Sequence, residues 1–429
     1  MPDLEFQSED VLAALQDTLL REHVRYAAEH SPFYRRLFAS TGLRPDAIHS
    51  VNDLGALPFT TKSDLETNNP DFLCTDAGDI IDICLSSGTT GKPVALMQTR
   101  SDLDRLAVNE DVSFRTAGIT ARDRVLIATA LDRCFMAGLA YFLGLTRIGA
   151  TAIRVGSGSA FLLLEMLRQQ QATAMVGVPT LMLAAAERLV KDGGDPASLG
   201  VRRLICIGEP IRNQDLSLSV LGERLRELWG AQVFGTYAST EMATAFCECE
   251  HGLGGHQHPD LIAVEIVDEQ GRVLPPGEVG EVVATPLQVK GMPLLRFKTG
   301  DVAVLHTAPC PCGRRTPRLG PVLGRKAQML KCRGTTVYPP AIAAVLHAIR
   351  EVQGYYIEVH DEYDLSDRIR VVVGVEAPES VDGTAITDRL AASLRVRPDV
   401  VIAPIAAVQQ KTVQSDKRKP VTFFDYRRR

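Results

Sequence analysis

Between about residue 80 and residue 240, short runs of β-branched residues alternate with longer stretches of helical periodicity. That rhythm constrains the fold more than anything else in the chain. The runs Ile80–Leu85, Arg124–Ala130, Thr151–Val155, Ala174–Val178, Arg203–Ile207 and Gln232–Tyr237 read as strands. Ser101–Ala117, Gly138–Ile148, Ala160–Gln170, Thr180–Lys191 and Gln214–Trp229 read as the intervening helices. Strand–helix alternation of this kind implies an α/β domain whose largely parallel sheet is covered on both faces.

Two changes of style flank it. Upstream, Val11, Leu12, Leu15, Leu19 and Val24 fall near helical spacing, which predicts a helix over 9–31 that Pro32 ends. Downstream, Leu261–Val267, Glu281–Thr285 and Leu294–Leu305 are strands separated by Gly/Pro turns, the pattern of an antiparallel sheet or barrel-like part. From Gly324 a third pattern begins. Helices Pro340–Ile349 and Ile386–Leu394 and strands Tyr355–His360, Ile369–Val375 and Val400–Val408 describe a small α+β domain. The expected division is a domain of residues 1–324 and a smaller one of 325–429.

Charge and apolar patterning exclude several classes. With 47 Lys+Arg against 52 Asp+Glu, the chain lacks the basic excess that phosphate-backbone binding demands, so no nucleic-acid partner is expected. The longest strongly apolar run, Phe135 to Leu145, has 11 residues, short of the ~20 that span a bilayer. The opening residues MPDLEFQSED show no basic-then-apolar secretory pattern. Nine cysteines, an odd number, point to reduced thiols and a cytoplasmic location.

The segment richest in chemistry is Leu85-Ser86-Ser87-Gly88-Thr89-Thr90-Gly91-Lys92-Pro93, directly after a strand. Two glycines let the backbone approach a ligand, hydroxyls offer donors and one lysine supplies charge, a composition suited to polyphosphate. It is not a Walker loop, because no Ser or Thr follows the lysine to hold magnesium. A second cluster is metal-like: Cys247, Cys249, His251, His256 and His258 lie close together, and Cys310 and Cys312 follow downstream. Thiolates and imidazoles from two loops match a tetrahedral structural zinc.

The loop Ser86–Lys92 resembles the signature of the adenylate-forming superfamily, the acyl- and aryl-CoA ligases and their relatives. Four further motifs follow in that family's order: Gly208-Glu209-Pro210, Tyr237-Ala238-Ser239-Thr240-Glu241, Thr299-Gly300-Asp301 and the hinge Gly324-Arg325. Ser31-Pro32-Phe33-Tyr34-Arg35-Arg36, Leu57-Pro58-Phe59-Thr60-Thr61-Lys62 and Cys310-Pro311-Cys312-Gly313-Arg314 resemble the phenylacetate–CoA ligase branch. The resemblance covers nearly the whole chain.

The resemblance implies ATP-dependent activation of a carboxylic acid, aromatic or arylacetic, as an acyl-adenylate, followed by transfer to coenzyme A. Transfer to an acyl carrier protein or an amine, or a non-catalytic nucleotide-binding role, are the alternatives it leaves open, as is a homodimer. It implies that Ser86, Ser87, Gly88, Thr89, Thr90, Gly91 and Lys92 hold the phosphates and that Gly208, Glu209, Pro210, Tyr237, Ala238 and Ser239 surround the adenosine. Asp301 would take the ribose, with Arg325 beside it or at the domain joint. Thr240 would lie on the α-phosphate and Glu241 on magnesium, while Phe135, Met136, Phe142 and Ala238 line the acyl pocket. Lys417 would serve adenylation, with Lys419 as the alternative register. Cys249, His256, Cys310 and Cys312 would bind the zinc. Three positions depart from the family pattern: Ala238 replaces a glycine, Lys326-Ala327-Gln328 lacks the hinge acids, and Asp416 precedes Lys417 where glycine is usual.

Overall fold

The computed structural model describes residues 4–86, 94–332, 335–361, 367–394, 396–413 and 420–427. The chain divides into two compact units, one of residues 1–218 and 222–322, the other of residues 219–221 and 323–429.

The centre of the large unit is a six-stranded sheet. Its order is Thr151–Arg154, Arg124–Ala128, Ala174–Gly177, Arg203–Ile207, Gln232–Ser239, Thr244–Cys247. The first five strands are parallel and the last is antiparallel. Ala174–Gly177 is buried at every position, as a strand covered on both faces must be. Val125, Ile127, Val176, Ile205 and Phe234 form its core with Phe114, Tyr141 and Leu145 from two covering helices, Arg100–Thr116 and Met136–Ile148. Gly144 lets those helices close on each other: a Cβ there would stand 2.3 Å from Glu110 Cβ.

The first predicted strand belongs elsewhere. Ile80–Leu85 pairs antiparallel with Ala95–Thr99 in a separate two-stranded sheet. The downstream strands Ile262–Val267, Val279–Pro286, Phe297–His306, Arg318–Leu319 and Gly255–His256 form an open antiparallel order, not a closed barrel.

Among the boundaries that differ from the sequence reading, three change the elements themselves. Pro32 ends one helix, Glu9–His30, yet opens the next, Pro32–Thr41, because a residue without an N–H suits the first helical turn. Residues 214–219 are not helical. Asp215 accepts from the Ser217 N–H and hydroxyl, Leu216 has φ +70°, and the helix begins at Val220. In the small unit Asp399–Pro404 is a strand, but Ile405–Thr412 is a helix where a longer strand was expected.

The small unit is a four-stranded sheet, Asp399–Pro404, Asp367–Val375, Gly354–Asp361, Phe423–Asp425, antiparallel in the middle and parallel at both edges. Helices Pro339–His347 and Gly383–Leu394 cover it through Ile342, Leu346, Ile386 and Leu390. No helix among the described residues is long and apolar enough to cross a membrane.

Candidate active site and metal centre

Several motif residues of the large unit lie on or just after its strands. Tyr237, near the end of the parallel strand Gln232–Ser239, donates its hydroxyl to Asp301 Oδ2 at 2.9 Å. Asp301 lies on Phe297–His306 after Gly300, whose φ of +75° suits glycine, and its N–H bonds Thr299 Oγ1 at 3.1 Å. One face of the Tyr237 ring stacks near Phe246, with centroids 6.0 Å apart.

Past Ser239 the chain turns sharply. The Ala243 N–H reaches the Ser239 and Thr240 carbonyls, and Ala243 takes φ +45°. The turn is anchored from the side by Arg105, a fully buried guanidinium that donates to Ala243 O, Leu287 O, Thr244 Oγ1 and Leu261 O. Burial lowers the Arg105 pKa to about 10, which leaves it charged at neutral pH. Thr240 and Glu241 line a small cleft with Gln98, Asp102 and Met292. Lys62 reaches in, Nζ 3.5 Å from Glu241 Oε1. Its helix Lys62–Thr67 is fixed by a capping box between Thr61 and Asp64. The sequence motif around Lys62 carried a resemblance but no role; only tertiary structure brings it to Glu241.

Gly208, with φ +72°, follows the strand Arg203–Ile207. The Glu209 carboxylate accepts from the Thr180 N–H and hydroxyl at 3.1 and 3.0 Å, so it caps the helix Pro179–Lys191. Ser86 is buried at the end of its hairpin strand, exchanging backbone and side-chain contacts with Val94. Ser87, Gly88, Thr89, Thr90, Gly91 and Lys92 lie outside the described residues, as do Lys417 and Lys419. Arg325 belongs to the small unit.

The expected acyl-pocket residues separate. Met136 packs with Cys84, Leu106 and Ala140, and with Ala243 of the Glu241 turn. Ala238 is exposed and paired with Ala245, while Phe135 is half-buried before the helix. Phe142 belongs to the core of the parallel sheet, not to the Met136 cluster, and Arg154 lies 5.1 Å over its ring.

Cys249, His256, Cys310 and Cys312 converge, with donor atoms all within 4.8 Å of one another. Cys249 and Cys310 sulfurs are 3.6 Å apart, and Cys312 Sγ is 3.5 Å from His256 Nε2. His256 Nδ1 meets Thr316 Oγ1 at 3.0 Å, and burial holds the imidazole neutral, with its pKa lowered to about 3. The remaining candidates are engaged elsewhere: Cys247 receives the Thr236 hydroxyl, His258 meets Ser113 and Glu5, and His251 neighbours Glu250. Arg314, two residues after Cys312, donates to Glu5 at 2.8 Å and ties the N-terminal segment to this loop.

Comparison with known proteins places the whole chain in a family. The family model of AMP-binding enzymes matches residues 11–291, and that of the AMP-binding enzyme C-terminal domain matches 334–427. Phenylacetate-coenzyme A ligase of Thermus thermophilus is 33% identical over 385 residues, 88% of this chain and 84% of that protein. The enzyme of the same name from Pseudomonas putida is 30% identical over 362 residues, 83% and 80% of the two chains. Among solved structures, 2-hydroxyisobutyryl-CoA ligase in its postadenylation state superposes with TM-score 0.84 at 24% identity, covering 96% of this chain and 88% of that one. The same ligase with 2-HIB-AMP and CoA, in the thioesterification state, gives TM-score 0.71 at 25% identity, with 98% and 91% covered. The chain belongs to the AMP-binding enzyme family.

Proposed function

We propose that this protein activates an aromatic or arylacetic acid with ATP and transfers the acyl group to coenzyme A. A carboxylate cannot expel oxide. Its oxygen attacks the α-phosphorus instead, pyrophosphate leaves, and the acyl carbon then carries AMP as leaving group. The CoA thiol attacks that carbon, losing its proton, and AMP departs with the C–O bonding pair.

The observation that carries this reading is that the strand Gln232–Ser239 and the turn after it carry Tyr237, bonded to Asp301, and Thr240 and Glu241, the latter met by Lys62, in a chain of this family. Asp301, already accepting one hydroxyl, has the acceptor capacity to take ribose hydroxyls through charge-assisted bonds. Thr240 would donate to the α-phosphate. Glu241 would hold magnesium, an ion that offsets phosphate charge, and Lys62 adds a cation beside it. The loop Ser86–Lys92 would cradle the phosphates. Because the Glu209 side chain caps a helix, the Gly208–Pro210 segment would meet adenine through its backbone. Residues 1–324 act as the AMP-binding domain, while 325–429, with Arg325 at its start and Lys417 in its tail, serve as the lid.

Cys249, His256, Cys310 and Cys312 would hold a structural zinc. Tetrahedral bonds of ~2.3 Å to sulfur and ~2.0–2.1 Å to nitrogen set S···S at about 3.8 Å and S···N at about 3.5 Å. The observed 3.6 and 3.5 Å fit. The Nδ1–H tautomer of His256, donating to Thr316, leaves the Nε2 lone pair for the metal. Four protein ligands close the coordination shell, so the metal would organise the loop rather than act on substrate.

Acid-dependent exchange of labelled pyrophosphate into ATP, without CoA, tests the adenylation step. Exchange with aromatic acids supports the reading; tight ATP binding without exchange for any acid would leave a nucleotide-binding relative.

A further inference from the structure

The strand Ala95–Thr99 and the turn that carries Glu241 border one narrow cleft, and a single helix fixes both. Thr99 ends the strand as the N-cap of Arg100–Thr116, in a capping box with Asp102. One turn further along that helix, Arg105 holds the Ala243 carbonyl of the Glu241 turn. Leu96 and Gln98 share one side of the strand, and both are buried, at 5% and 6% exposed. Burial suits a leucine; an amide needs partners for its oxygen and its nitrogen.

The Gln98 amide is only half satisfied. Its Nε2 points to Met136 Sδ at 4.0 Å, while Oε1 is sealed from water with no hydrogen-bonding partner among the described residues. The cleft that Gln98 lines has a volume of about 20 Å³ and is bordered also by Asp102, Arg105, Thr240 and Glu241. That is room for one water-sized group and not for an acyl chain. Asp102 and Arg105 are already engaged. The Asp102 carboxylate accepts from the Lys290 and Gly291 N–H groups and from the Thr99 N–H and hydroxyl, and Arg105 makes the four bonds described above. Capacity remains at Gln98 Oε1, at the Thr240 hydroxyl and at the Glu241 carboxylate, which Lys62 meets on one oxygen.

These three groups are all oxygens, the donor chemistry of a hard divalent cation. Magnesium held by one carboxylate and by phosphates keeps several waters, and each of those waters is a donor that needs an acceptor. A carbonyl oxygen in the cleft of Glu241 supplies one, whereas an apolar side chain there would not.

We propose that Gln98 is a positioning residue for adenylation: its Oε1 accepts a hydrogen bond from a water in the hydration shell of the magnesium that Glu241 holds, and so fixes the ion against the phosphates. The proposal rests on the acid-activating reading above. The dry acceptor costs stability while the nucleotide is absent and finds its partner when magnesium enters with ATP.

The experiment measures, by calorimetry on the intact protein, how much saturating magnesium tightens the binding of α,β-methylene-ATP, a readout that needs no turnover. Gln98→Met, which keeps the length and loses the acceptor, should cut that factor about tenfold and leave metal-free binding of the analogue unchanged. The melting temperature of the ligand-free variant should be equal to or above that of the native protein, because an apolar group of similar shape replaces an unsatisfied one. Gln98→Asn, which withdraws the acceptor by one methylene, should lose the factor as well, and Gln98→Glu, which retains an acceptor, should keep it. In pyrophosphate exchange the magnesium concentration for half-maximal rate should rise for Gln98→Met and Gln98→Asn and not for Gln98→Glu. A factor within about twofold of native in both Gln98→Met and Gln98→Asn overturns the proposal. So does an equal loss of affinity with and without metal, the signature of a structural role, and so does a loss in Gln98→Glu as large as in Gln98→Met. Each of these leaves the ligase reading standing as long as the native protein exchanges pyrophosphate. No exchange by the native protein with any acid overturns both.

Discussion

Asp301 and Tyr237 lie far apart in sequence, yet one hydrogen bond of 2.9 Å joins them, at what we propose is the nucleotide end of the site. Asp301→Ala should weaken ATP binding by about 1.5–3 kcal/mol, the usual size for bonds to a charged acceptor. Unchanged affinity in calorimetry would remove Asp301 from the site. A structural pair gives a different signature. Arg296 and Glu265 form a bidentate ion pair at 2.8 and 3.0 Å with both side chains almost sealed from water. Glu265→Ala leaves that guanidinium uncompensated and should cost about 3–5 kcal/mol in urea unfolding; a loss below about 1 kcal/mol would show the pair contributes little. His23 provides the pH dependence. Burial, aided by Arg105 and Lys290, lowers its pKa from 6.5 to about 3. A depressed folded pKa means the stability is fully present above pH 6.5 and is lost as pH falls toward 3. His23→Leu should therefore flatten the acid limb of a melting-temperature profile relative to the native chain, and parallel limbs would contradict the assignment. At this scale Glu241 and Asp301 were legible because short motifs carry them. Lys62 was not, since its closeness to Glu241 is a product of packing rather than spacing.

Elements were legible where periodicity was long and unbroken, as in Ala160–Gln170 and Arg203–Ile207, whose bounds the sequence reading shares. They were misread where a local side-chain bond overrides propensity. Asp215 holds a turn that interrupts the expected helix at Gln214, and the apolar run Val400–Val408 changes from strand to helix after Pro404. The partner of Ile80–Leu85 was invisible because Ala95–Thr99 has only a short, weak strand pattern. The cysteine loops are the element with the sharpest test. Glu248, between Cys247 and Cys249, bonds Arg212 and the Gly235 N–H, while Arg314 bonds Glu5, so the cysteine loops are tied both to the parallel sheet and to the N-terminal segment. Metal analysis should give one zinc per chain, lost together with folding under strong chelation. Cys310→Ser should lower the melting temperature without changing which acids are accepted. A metal-free preparation of full stability would refute the site.

For the whole molecule, the family is legible in motif order, whereas the acceptor and the identity of the tail lysine depend on the departures at Lys326-Ala327-Gln328 and Asp416. If Lys417 stabilises charge developing at the α-phosphate, Lys417→Ala should slow adenylation by ~10²–10³ while leaving CoA attack on supplied acyl-adenylate near normal. Lys419→Ala should do little; reversed outcomes would shift the register by two. The central claim is that acid activation and thiol capture occur in one chain. The most direct measurement follows AMP, pyrophosphate and free CoA thiol together during turnover of aromatic acids by the intact protein. The account predicts that the three change in equal amounts and only when an acid is present. Pyrophosphate exchange without loss of thiol would contradict it and move the acyl group to another acceptor.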